Sequence, residues 1–597
     1  MIHPRRDAVS FRPLVNLPRL STPSLRADAL AGLTVAVFAV PQAMAYAALA
    51  GLPPVHGLYA AVAMSIVAAF WGSSPYLNTG PTNTAALLTA ASLAPFAASS
   101  SGILDLVFTF MILVGAIRIT MGLLRLGWLV RFVPEPAFLG FMSAAEILIA
   151  LGQMHQFFEL PTPQAPSTLL RMGEVFSALP QSNPRAVLIG VLVVGVLVVF
   201  DKFSKRFPVA LASILLVTLA AIALESTRFG APVSLVRDIA PIPHGLPALV
   251  LGPLRFDLIF AMLPGALAVA AIGLIEAVSI GQSLALKKKA QINFNQEFFG
   301  QGVSQIASAV CGGLPGSGSF SRSALIERSG GQTALANIFF GVFTALALWL
   351  FPTLLEQIPL AALAGLLFFT GLKMLDLAAI KRVWMTSRAD FGVLALTFAV
   401  TFFGKIEWGF FAGVVAAMAV FLNRARDLQI FELVPRKETT RFEELSYLPD
   451  SRHERSDVVA LALHGDLFFG LANELREQLN EIARLQNPMF IVVRMRRARS
   501  VDYSCWKAIF DFAEAFQGNG GVLILTGVRH ELRGVIEDAG MKNVLPTECI
   551  VNPTGSAWQA FETGLERVAG RLEPDAELSS AWREYFDKRQ LEASVSH

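Results

Sequence analysis

Charged residues are scarce in this chain. Only 16% of its 597 residues are Asp, Glu, Lys or Arg, whereas soluble proteins average about 25%. None of the four occurs between Ala29 and Leu104. A membrane-spanning helix needs about 20 apolar residues, so this stretch is long enough for several crossings. The composition therefore excludes an ordinary soluble protein, and also a cleaved secretory signal, whose apolar region covers only about 7–15 residues.

Other absences exclude further classes of protein and of binding site. The three cysteines, Cys311, Cys505 and Cys549, are too few and too far apart for a disulfide framework or a cysteine-rich metal site. The eight histidines lack ligand spacing, and the net charge of +3 comes without a basic and aromatic patch. No nucleophile and base pair is recognisable. The sequence predicts no metal, no cofactor, no nucleic-acid partner and no enzymatic activity.

Apolar segments are plentiful, and helix-breaking stretches rich in Gly, Pro or polar residues divide them into about fourteen predicted spans. The first seven lie near 28–50, 55–72, 80–96, 103–123, 137–154, 185–201 and 207–224, and the second seven near 258–286, 297–312, 319–327, 331–351, 359–376, 389–404 and 406–423. The third and tenth are short and follow Gly-, Pro- and Ser-rich sequence. The prediction is an α-helical polytopic membrane protein, with a transport domain at 28–423 built from two repeats, 28–224 and 258–423.

Positive charge predicts the orientation of these spans. If the N-terminal segment 1–27 is cytoplasmic, most lysines and arginines of the loops, including the run Lys287–Lys289, lie on the cytoplasmic side. Cytoplasmic loops of membrane proteins carry such an excess. We therefore expect both termini in the cytoplasm of a multi-pass protein of the plasma membrane, here a bacterial inner membrane.

The composition changes after Asn423. Residues 424–455 are rich in charge and predict a linker. In 456–570, apolar stretches such as "VVALALHG", "MFIVVRM" and "GVLILTG" alternate with amphipathic segments, a pattern typical of a small soluble α/β domain. Residues 571–597 are predicted to be a polar tail.

The two halves repeat a motif around their short spans. The segment from Gly80 to Leu88 matches that from Gly318 to Ile326, and "QAMAY" from Gln42 parallels "EAVSI" from Glu276. Because seven is odd, the second repeat enters the membrane from the opposite side. Inverted repeats with interrupted spans are typical of secondary transporters that bind substrate near the midplane. The two N-termini of the short helices carry partial positive charge, so they favour an anion.

Several stretches resemble one known family. "VPQAMAYAALAGLPPVHGLYAA" is similar to the first-span signature of the SulP sulfate permeases, and "NQEFFGQG" and "GLPGSGSFSRSALIERSGGQT" resemble their ninth- and tenth-span motifs. The part containing "VDYSCWKAI" resembles a STAS domain. The resemblance implies fourteen spans in a 7+7 inverted repeat, divided into core and gate domains, a homodimer, and a cytoplasmic STAS domain with a possible protein partner.

The resemblance also implies a set of site residues. The anion site falls on Gln42, Tyr46, Thr82, Asn83, Thr84, Phe320, Ser321 and Arg322, and the cation-coupling position on Glu276. Ser504 matches the regulatory serine of soluble STAS relatives, but Cys505 stands where those relatives have glycine. Phosphorylation of Ser504 is therefore an open question.

The residues themselves allow more than one interpretation. Glu276 precedes Lys287 by eleven residues, or about 16 Å of helix, which places a costly carboxylate near the midplane. It is either functional or a structural hydrogen-bonding group. Arg322 either pairs with Glu276 or supplies positive potential to the anion. Ser321 can be a helix cap.

Other polar and aromatic residues of the spans give weaker evidence of a functional role. The amide of Gln42 needs partners in an apolar span. Tyr46 and Phe320 are aromatic residues of a kind that often only fills a core. Arg118 is expected to extend toward the inner interface without a role, and Glu146 is left open.

The sequence thus predicts a secondary active transporter of small inorganic or organic anions, sulfate- or dicarboxylate-like, embedded in a lipid bilayer. Two helix N-termini and Arg322 supply about two positive charges, and Glu276 removes one. A dianion with one proton on Glu276 would restore neutrality, which favours H⁺ coupling over Na⁺. The alternatives are a sodium-coupled bicarbonate transporter, an uncoupled channel or exchanger, and a nucleobase permease, which the STAS-like part disfavours.

Overall fold

The chain folds into two compact units, Met1–Val420 and Phe421–His597. The computed structural model describes residues 22–97, 102–163, 165, 168–203, 209–225, 231–245, 247, 249–288, 292–425, 428–436, 442–446, 456–529, 544–553 and 558–595. The first unit is almost entirely helical, and the second contains a mixed sheet with helices.

The helices of the first repeat, with the short elements that follow it, are α1 (Thr22–Leu49), α2 (Val55–Trp71), α3 (Asn83–Ala97), α4 (Ile103–Leu123), α5 (Glu135–Gly152), α6 (Met154–Phe157), α7 (Thr168–Ala178), α8 (Pro184–Phe203), α9 (Val209–Glu225) and α10 (Val236–Ile239). Those of the second are α11 (Ile259–Lys288), α12 (Phe294–Val310), α13 (Phe320–Arg328), α14 (Leu335–Leu350), α15 (Pro352–Glu356), α16 (Leu360–Met374), α17 (Leu377–Thr386), α18 (Arg388–Phe403) and α19 (Ile406–Ala425).

Each of the fourteen predicted spans contains one of these helices. Over the described residues, six helical segments are long and apolar enough to span a membrane unaided, and a seventh is added if the pair Thr168–Gln181 and Pro184–Val199, bent by 115°, forms one span. Helices α3 and α13 have 15 and 9 residues, or roughly 22 and 14 Å. Both are shorter than a hydrocarbon layer of about 30 Å.

A two-stranded ribbon joins the two repeats at these short helices. Strand β1 (Thr79–Pro81) precedes α3, strand β2 (Gly316–Gly318) precedes α13, and the two strands pair antiparallel. The close approach requires glycine, because a Cβ on Gly316 would lie 2.1 Å from the carbonyl oxygen of Gly80. Since the strands run in opposite directions, α3 and α13 leave opposite ends of the ribbon.

The helices of the first unit form two packed groups. The core group consists of α1–α4 and α11–α14 with the ribbon, in which α12 packs on α2 and α4, and α1 packs on α14. The gate group consists of α5, α6, α8, α9, α16 and α18, in which α5 packs on α16 and α18. The two groups meet where α1 contacts α9 and α16, and where α3 contacts α5.

The second unit is built on a seven-stranded sheet. Its strands are β3 (Gln429–Pro435), β4 (Phe442–Ser446), β5 (Val458–Leu467), β6 (Phe490–Arg494), β7 (Ala498–Val501), β8 (Val522–Thr526) and β9 (Ile550–Val551). The order is β4-β3-β5-β6-β8-β9, with β7 beside β5. Strands β5, β6, β8 and β9 are parallel, while β3 and β4 are antiparallel additions at one edge.

Helices cover both faces of this sheet. On one face, α20 (Ala472–Gln486) and α21 (Tyr503–Gly518) pack against one set of alternate strand residues. On the other, α22 (Gln559–Ala569) and α23 (Ser580–Val595) pack against the second set. The central strands are therefore buried on both sides, as in other parallel sheets.

Two sequence predictions are wrong at the ends of this unit. Residues 424–455, predicted as a linker, contain β3 and β4, and β3 pairs with β5 over Gln429–Glu432. Residues 571–597, predicted as a polar tail, contain α23, whose Trp582, Tyr585 and Phe586 are buried against the sheet. Both segments belong to the fold because they cover the sheet's edge and its second face.

Candidate functional site

The two short half-helices, α3 and α13, begin at opposite ends of the ribbon. Helix α3 begins after Thr82, whose hydroxyl oxygen accepts from the N–H of Ala85 at 3.4 Å. Helix α13 begins after Ser319, whose side chain accepts from the N–H of Arg322. The cap of α13 is thus Ser319, so the alternative interpretation of Ser321 as a helix cap is wrong. The first N–H groups of each helix have no partner within the helix and carry partial positive charge.

Arg322 is held against the first strand of the ribbon. Its side chain is 1% exposed. Nε donates to Oδ1 of Asn78 at 2.7 Å, and Nη1 donates to the carbonyl oxygen of Pro81 at 2.9 Å. Nη2 is buried without a hydrogen-bond partner among the described residues, and a Cβ on Gly80 would lie 3.1 Å from it. Arg322 is therefore fixed by neutral oxygens, which leave its charge uncompensated by a hydrogen-bonded carboxylate.

Glu276 approaches the ribbon from α11, on the side of β2. The hydroxyl of Ser317 donates to its Oε2 in a short hydrogen bond, and Oγ of Ser317 lies 3.4 Å from that of Thr82. The carboxyl group is thus connected through hydroxyls to the start of α3.

Helix α1 supplies the two residues predicted from the first span. Gln42 and Tyr46 are buried, one helical turn apart. Pro41 removes the hydrogen bond that the carbonyl of Val37 would otherwise accept, which weakens the helix at this level. Oε1 of Gln42 has no hydrogen-bond partner among the described residues. Tyr46 lies within electrostatic range of Arg322.

Phe320 and Ser321 lie on the accessible side of the site. Phe320 is 60% exposed, and Ser321 is also exposed. By contrast, Thr82, Asn83 and Thr84 at the start of α3 are buried. The structure therefore places predicted residues of α1, α3 and α11 near Arg322, and leaves the first two residues of α13 exposed.

Arg118 was missed by the sequence analysis. It is 0% exposed instead of extending to the interface. Nη1 donates to the carbonyl oxygen of Gly316 at 2.7 Å, and Nη2 donates to that of Val269 at 3.0 Å. Gly273 makes room for it, because a Cβ there would lie 2.1 Å from Nη2. Arg118 thus braces β2 as Arg322 braces β1, and it adds a second buried positive charge behind the ribbon.

Glu146, left open from the sequence, also reaches the site. It lies on α5 of the gate group and is 1% exposed. Its Oε1 accepts from Nδ2 of Asn83, the first residue of α3, at 2.6 Å. The cost of burying a carboxylate in a predicted span could have indicated a role from the sequence, but only the packing of α5 against α3 shows where it acts.

Ser504 lies in the first turn of α21. The side chain of Asp502 caps this helix by accepting from the N–H of Cys505 at 2.9 Å. Cys505 is buried, and its thiol donates to the carbonyl oxygen of Phe468 at 3.1 Å. Ser504 itself is half-buried.

Across the described residues, no group of three or more His, Cys, Asp or Glu side chains could hold a metal ion.

The arrangement is suited to binding an anion. Two helix N-termini and two buried arginines bring positive charge to the ribbon. The carboxyl groups of Glu276 and Glu146 bring negative charge when they are ionised. Oriented N–H groups and buried guanidinium groups are suited to carboxylate, sulfate and similar oxyanions.

Comparison with known proteins identifies the family. Residues 25–397 match the model of the sulfate permease family. The chain belongs to the sulfate permease family. Residues 451–552 match the STAS domain. The family assignment and the fold class predicted from the sequence are both confirmed.

Relatives from plants and bacteria cover most of the chain. Sulfate transporter 4.1, chloroplastic, of Arabidopsis thaliana is 27% identical over 87% of this chain and 78% of its own length. The putative sulfate transporter YvdB of Bacillus subtilis is 26% identical over 86% of this chain and 93% of its own. These homologues are transporters, not enzymes, which confirms the prediction that this family member is not an enzyme.

Solved structures agree with the fold. The murine anion transporter Slc26a9, in an inward-facing state, superimposes with a TM-score of 0.81 at 18% identity, over 92% of each chain. The transmembrane domain of the cyanobacterial bicarbonate transporter BicA gives a TM-score of 0.57 at 27% identity, over 67% of this chain and 98% of that domain. This sulfate permease family member is therefore a multi-pass anion transporter of that fold.

Proposed function

We propose that the protein is a secondary active symporter that moves a small divalent oxyanion, sulfate or a dicarboxylate, together with H⁺. The anion binds between the N-termini of α3 and α13. Gln42, Tyr46, Thr82, Asn83 and Thr84 contribute the wall of the site, with Phe320 and Ser321 at its opening. Arg322 supplies the positive charge.

The observation that carries this proposal is the state of Arg322. It is buried, two of its nitrogens are fixed by neutral oxygens, and Nη2 has no hydrogen-bond partner among the described residues. An unpaired buried guanidinium group is costly, and an oxyanion that accepts from it removes that cost. The relatives named as sulfate transporters support sulfate as the first substrate to test.

Glu276 is the proposed coupling group. Its carboxyl group is linked through Ser317 to Thr82 at the start of α3. A proton on Glu276 removes one negative charge from a site that receives two with a dianion. We propose H⁺ as the coupling ion because a single proton on Glu276 is enough to neutralise this carboxylate.

We further propose a homodimer in the plasma membrane with both termini cytoplasmic. The excess of positive charge in the predicted inner loops supports this orientation. The STAS unit is proposed to regulate transport or bind a cytoplasmic protein, with Ser504 as a position accessible enough for modification at the start of α21.

A second candidate is sodium-coupled bicarbonate transport, which the likeness to BicA favours. An uncoupled exchanger or channel on the same fold is the third. All three use the same ribbon site. They differ in whether net uptake is driven by H⁺, by Na⁺ or by no coupled ion.

Uptake into proteoliposomes distinguishes them. Sulfate, succinate, fumarate and bicarbonate are supplied one at a time, with pH and sodium gradients imposed separately. The proposal expects sulfate or a dicarboxylate to accumulate only when the outside is acidic, with no effect of sodium. Accumulation of bicarbonate on a sodium gradient would support the second candidate. Equilibration without accumulation under either gradient would identify an uncoupled carrier or channel.

A further inference from the structure

Glu146 is the gate-group carboxylate that touches the proposed anion site. Its helix α5 packs on α16 and α18, whereas Asn83 begins the half-helix α3 of the core group. The 2.6 Å hydrogen bond from Nδ2 of Asn83 to Oε1 of Glu146 therefore joins the two groups. It does so in a buried place, because both side chains are buried.

The second oxygen of Glu146 makes this bond more than a packing contact. Oε2 is buried and has no hydrogen-bond partner among the described residues. Gly371 on α16 allows the close approach of α5, since a Cβ at that position would lie 2.9 Å from the carbonyl oxygen of Glu146. A half-satisfied buried carboxylate costs stability, which indicates that the group is kept for another reason.

Glu146 also shares the electrostatic environment of the site. Tyr46 lies within electrostatic range of Glu146, Glu276 and Arg322 together. The carboxylate of Glu146 faces the start of α3, where the helix dipole favours negative charge. A substrate anion is attracted to the same positive end. Glu146 and the substrate therefore compete for the donors at the start of α3.

We propose that the Glu146–Asn83 hydrogen bond is a latch between the core and gate groups that the bound anion opens. This inference rests on the proposed function. In this proposal Glu146 is ionised when the site is empty, and it holds α3 against α5 through Asn83. A dianion beside α3 repels Glu146 and takes donors from it, so the latch weakens when the site is filled. The core group is then released to move relative to the gate group.

The latch makes two variants behave differently. In Glu146→Gln an amide oxygen still accepts from Asn83, but the competing charge is gone. We expect sulfate to bind roughly 5- to 150-fold more tightly, the usual range for coupled sites, while turnover falls because the anion no longer opens the latch. In Glu146→Ala both charge and acceptor are gone, so binding tightens and turnover does not fall. Nitrate, a monoanion, should show the smaller gain in affinity.

The experiment combines titration of purified full-length protein with sulfate and nitrate, and sulfate uptake by the same protein in proteoliposomes. Glu159→Gln is the matched control, because Glu159 is a carboxylate of the gate region that bonds Ser234 and Asn183 away from the ribbon. It should leave the affinity for sulfate unchanged. Monodispersity and thermal stability of each variant establish that it is folded.

The outcomes separate the latch from the transport function. Wild-type protein that binds sulfate, with tighter binding in both Glu146 variants and slower turnover only in Glu146→Gln, supports the latch. Unchanged or weaker binding of sulfate in both variants overturns it while leaving the transporter proposal intact. Wild-type protein that binds and transports no anion overturns the proposed function, and the latch with it.

Discussion

At the residue scale, the site depends on a positive charge without a hydrogen-bonded carboxylate. Arg322 donates to an amide oxygen and to a backbone carbonyl. A unit charge about 6 Å from an anion contributes about 3 kcal/mol at an effective dielectric constant of about 20. Neighbouring carboxylates reduce this figure. Arg322→Gln should therefore weaken sulfate binding by about 1–3 kcal/mol, or roughly 5- to 150-fold.

The measurement is a titration of monodisperse Arg322→Gln protein with sulfate and with nitrate, and the loss should be larger for sulfate. Arg255→Gln is the matched control, because Arg255 pairs with Asp257 in an exposed ion pair outside the ribbon. Equal affinity of wild-type and Arg322→Gln protein for both anions would show that Arg322 only braces β1.

Glu276 provides a second test at this scale. Glu276→Gln keeps an oxygen that can accept from Ser317, but it cannot take up the coupled proton. We expect net sulfate accumulation to lose its dependence on the pH gradient, while sulfate exchange across the membrane continues. Proteoliposome uptake with and without an imposed gradient measures both. A variant that still concentrates sulfate on a pH gradient would exclude Glu276 as the coupling group.

Cys505 provides a third test, in the STAS unit. Burial, with the nearby carboxylate of Asp502, raises the pKa of the Cys505 thiol to about 12. The reactive thiolate is therefore almost absent at pH 8. Iodoacetamide should leave Cys505 unmodified in folded protein and modify it after denaturation, as read by peptide mass spectrometry. Rapid alkylation in the folded state would mean that the first turn of α21 opens readily.

The sequence could single out Glu276 and Arg322 as candidate site residues, because burying a charge in an apolar span is costly. It could not predict the role of Arg118, whose partners are carbonyl oxygens of Val269 and Gly316, more than a hundred residues away. The contact of Glu146 with Asn83 depends likewise on the packing of α5 against α3. Local sequence carries no information about such distant pairs.

At the element scale, the start of α13 depends on its cap. The side chain of Ser319 accepts from the N–H of Arg322, whereas Ser321 is exposed in the first turn. Ser319→Ala should lower the stability of the protein by about 0.5–2 kcal/mol. Ser321→Ala is the matched comparison and should leave the thermal unfolding temperature nearly unchanged. A greater loss in Ser321→Ala would assign the cap to Ser321.

The half-helices were predictable because glycine and proline mark their starts in both repeats. Strand β3 was not, since seven residues with a charged flank resemble a linker until their pairing with β5 is known. Helix α23 did leave a signal in the sequence. Trp582, Tyr585 and Phe586 follow the spacing of one helical face, which a prediction from overall polarity overlooked.

At the scale of the whole molecule, we expect the second unit to fold by itself only if the fragment includes β3, β4 and α23. A fragment covering 421–597 contains the entire sheet and both helical faces. A fragment covering 456–570 lacks β3, β4 and α23, and it exposes the surface that Trp582, Tyr585 and Phe586 cover. Loss of one buried large aromatic side chain costs about 3–5 kcal/mol, so we expect the shorter fragment to be unfolded or aggregated.

Circular dichroism and thermal unfolding of the two purified fragments test this. A shorter fragment with cooperative unfolding and the same midpoint as the longer one would show that the fold of the unit does not need β3, β4 and α23.

A protein that lacks the second unit should still transport anions. We expect the rate of transport to change but the substrate preference to stay the same, because the ribbon and the residues around it all lie before Val420.

The central claim is that an anion binds at the ribbon, between the N-termini of α3 and α13. The most direct measurement is an experimental structure of the full-length protein with selenate, a dianion of sulfate's shape whose selenium can be located by anomalous scattering. The account predicts a selenium peak at the ribbon, with selenate oxygens within hydrogen-bonding reach of Nη2 of Arg322 and of the first N–H groups of α3 and α13. A selenium peak elsewhere in the protein, with the ribbon site free of it at saturating selenate, would contradict the account.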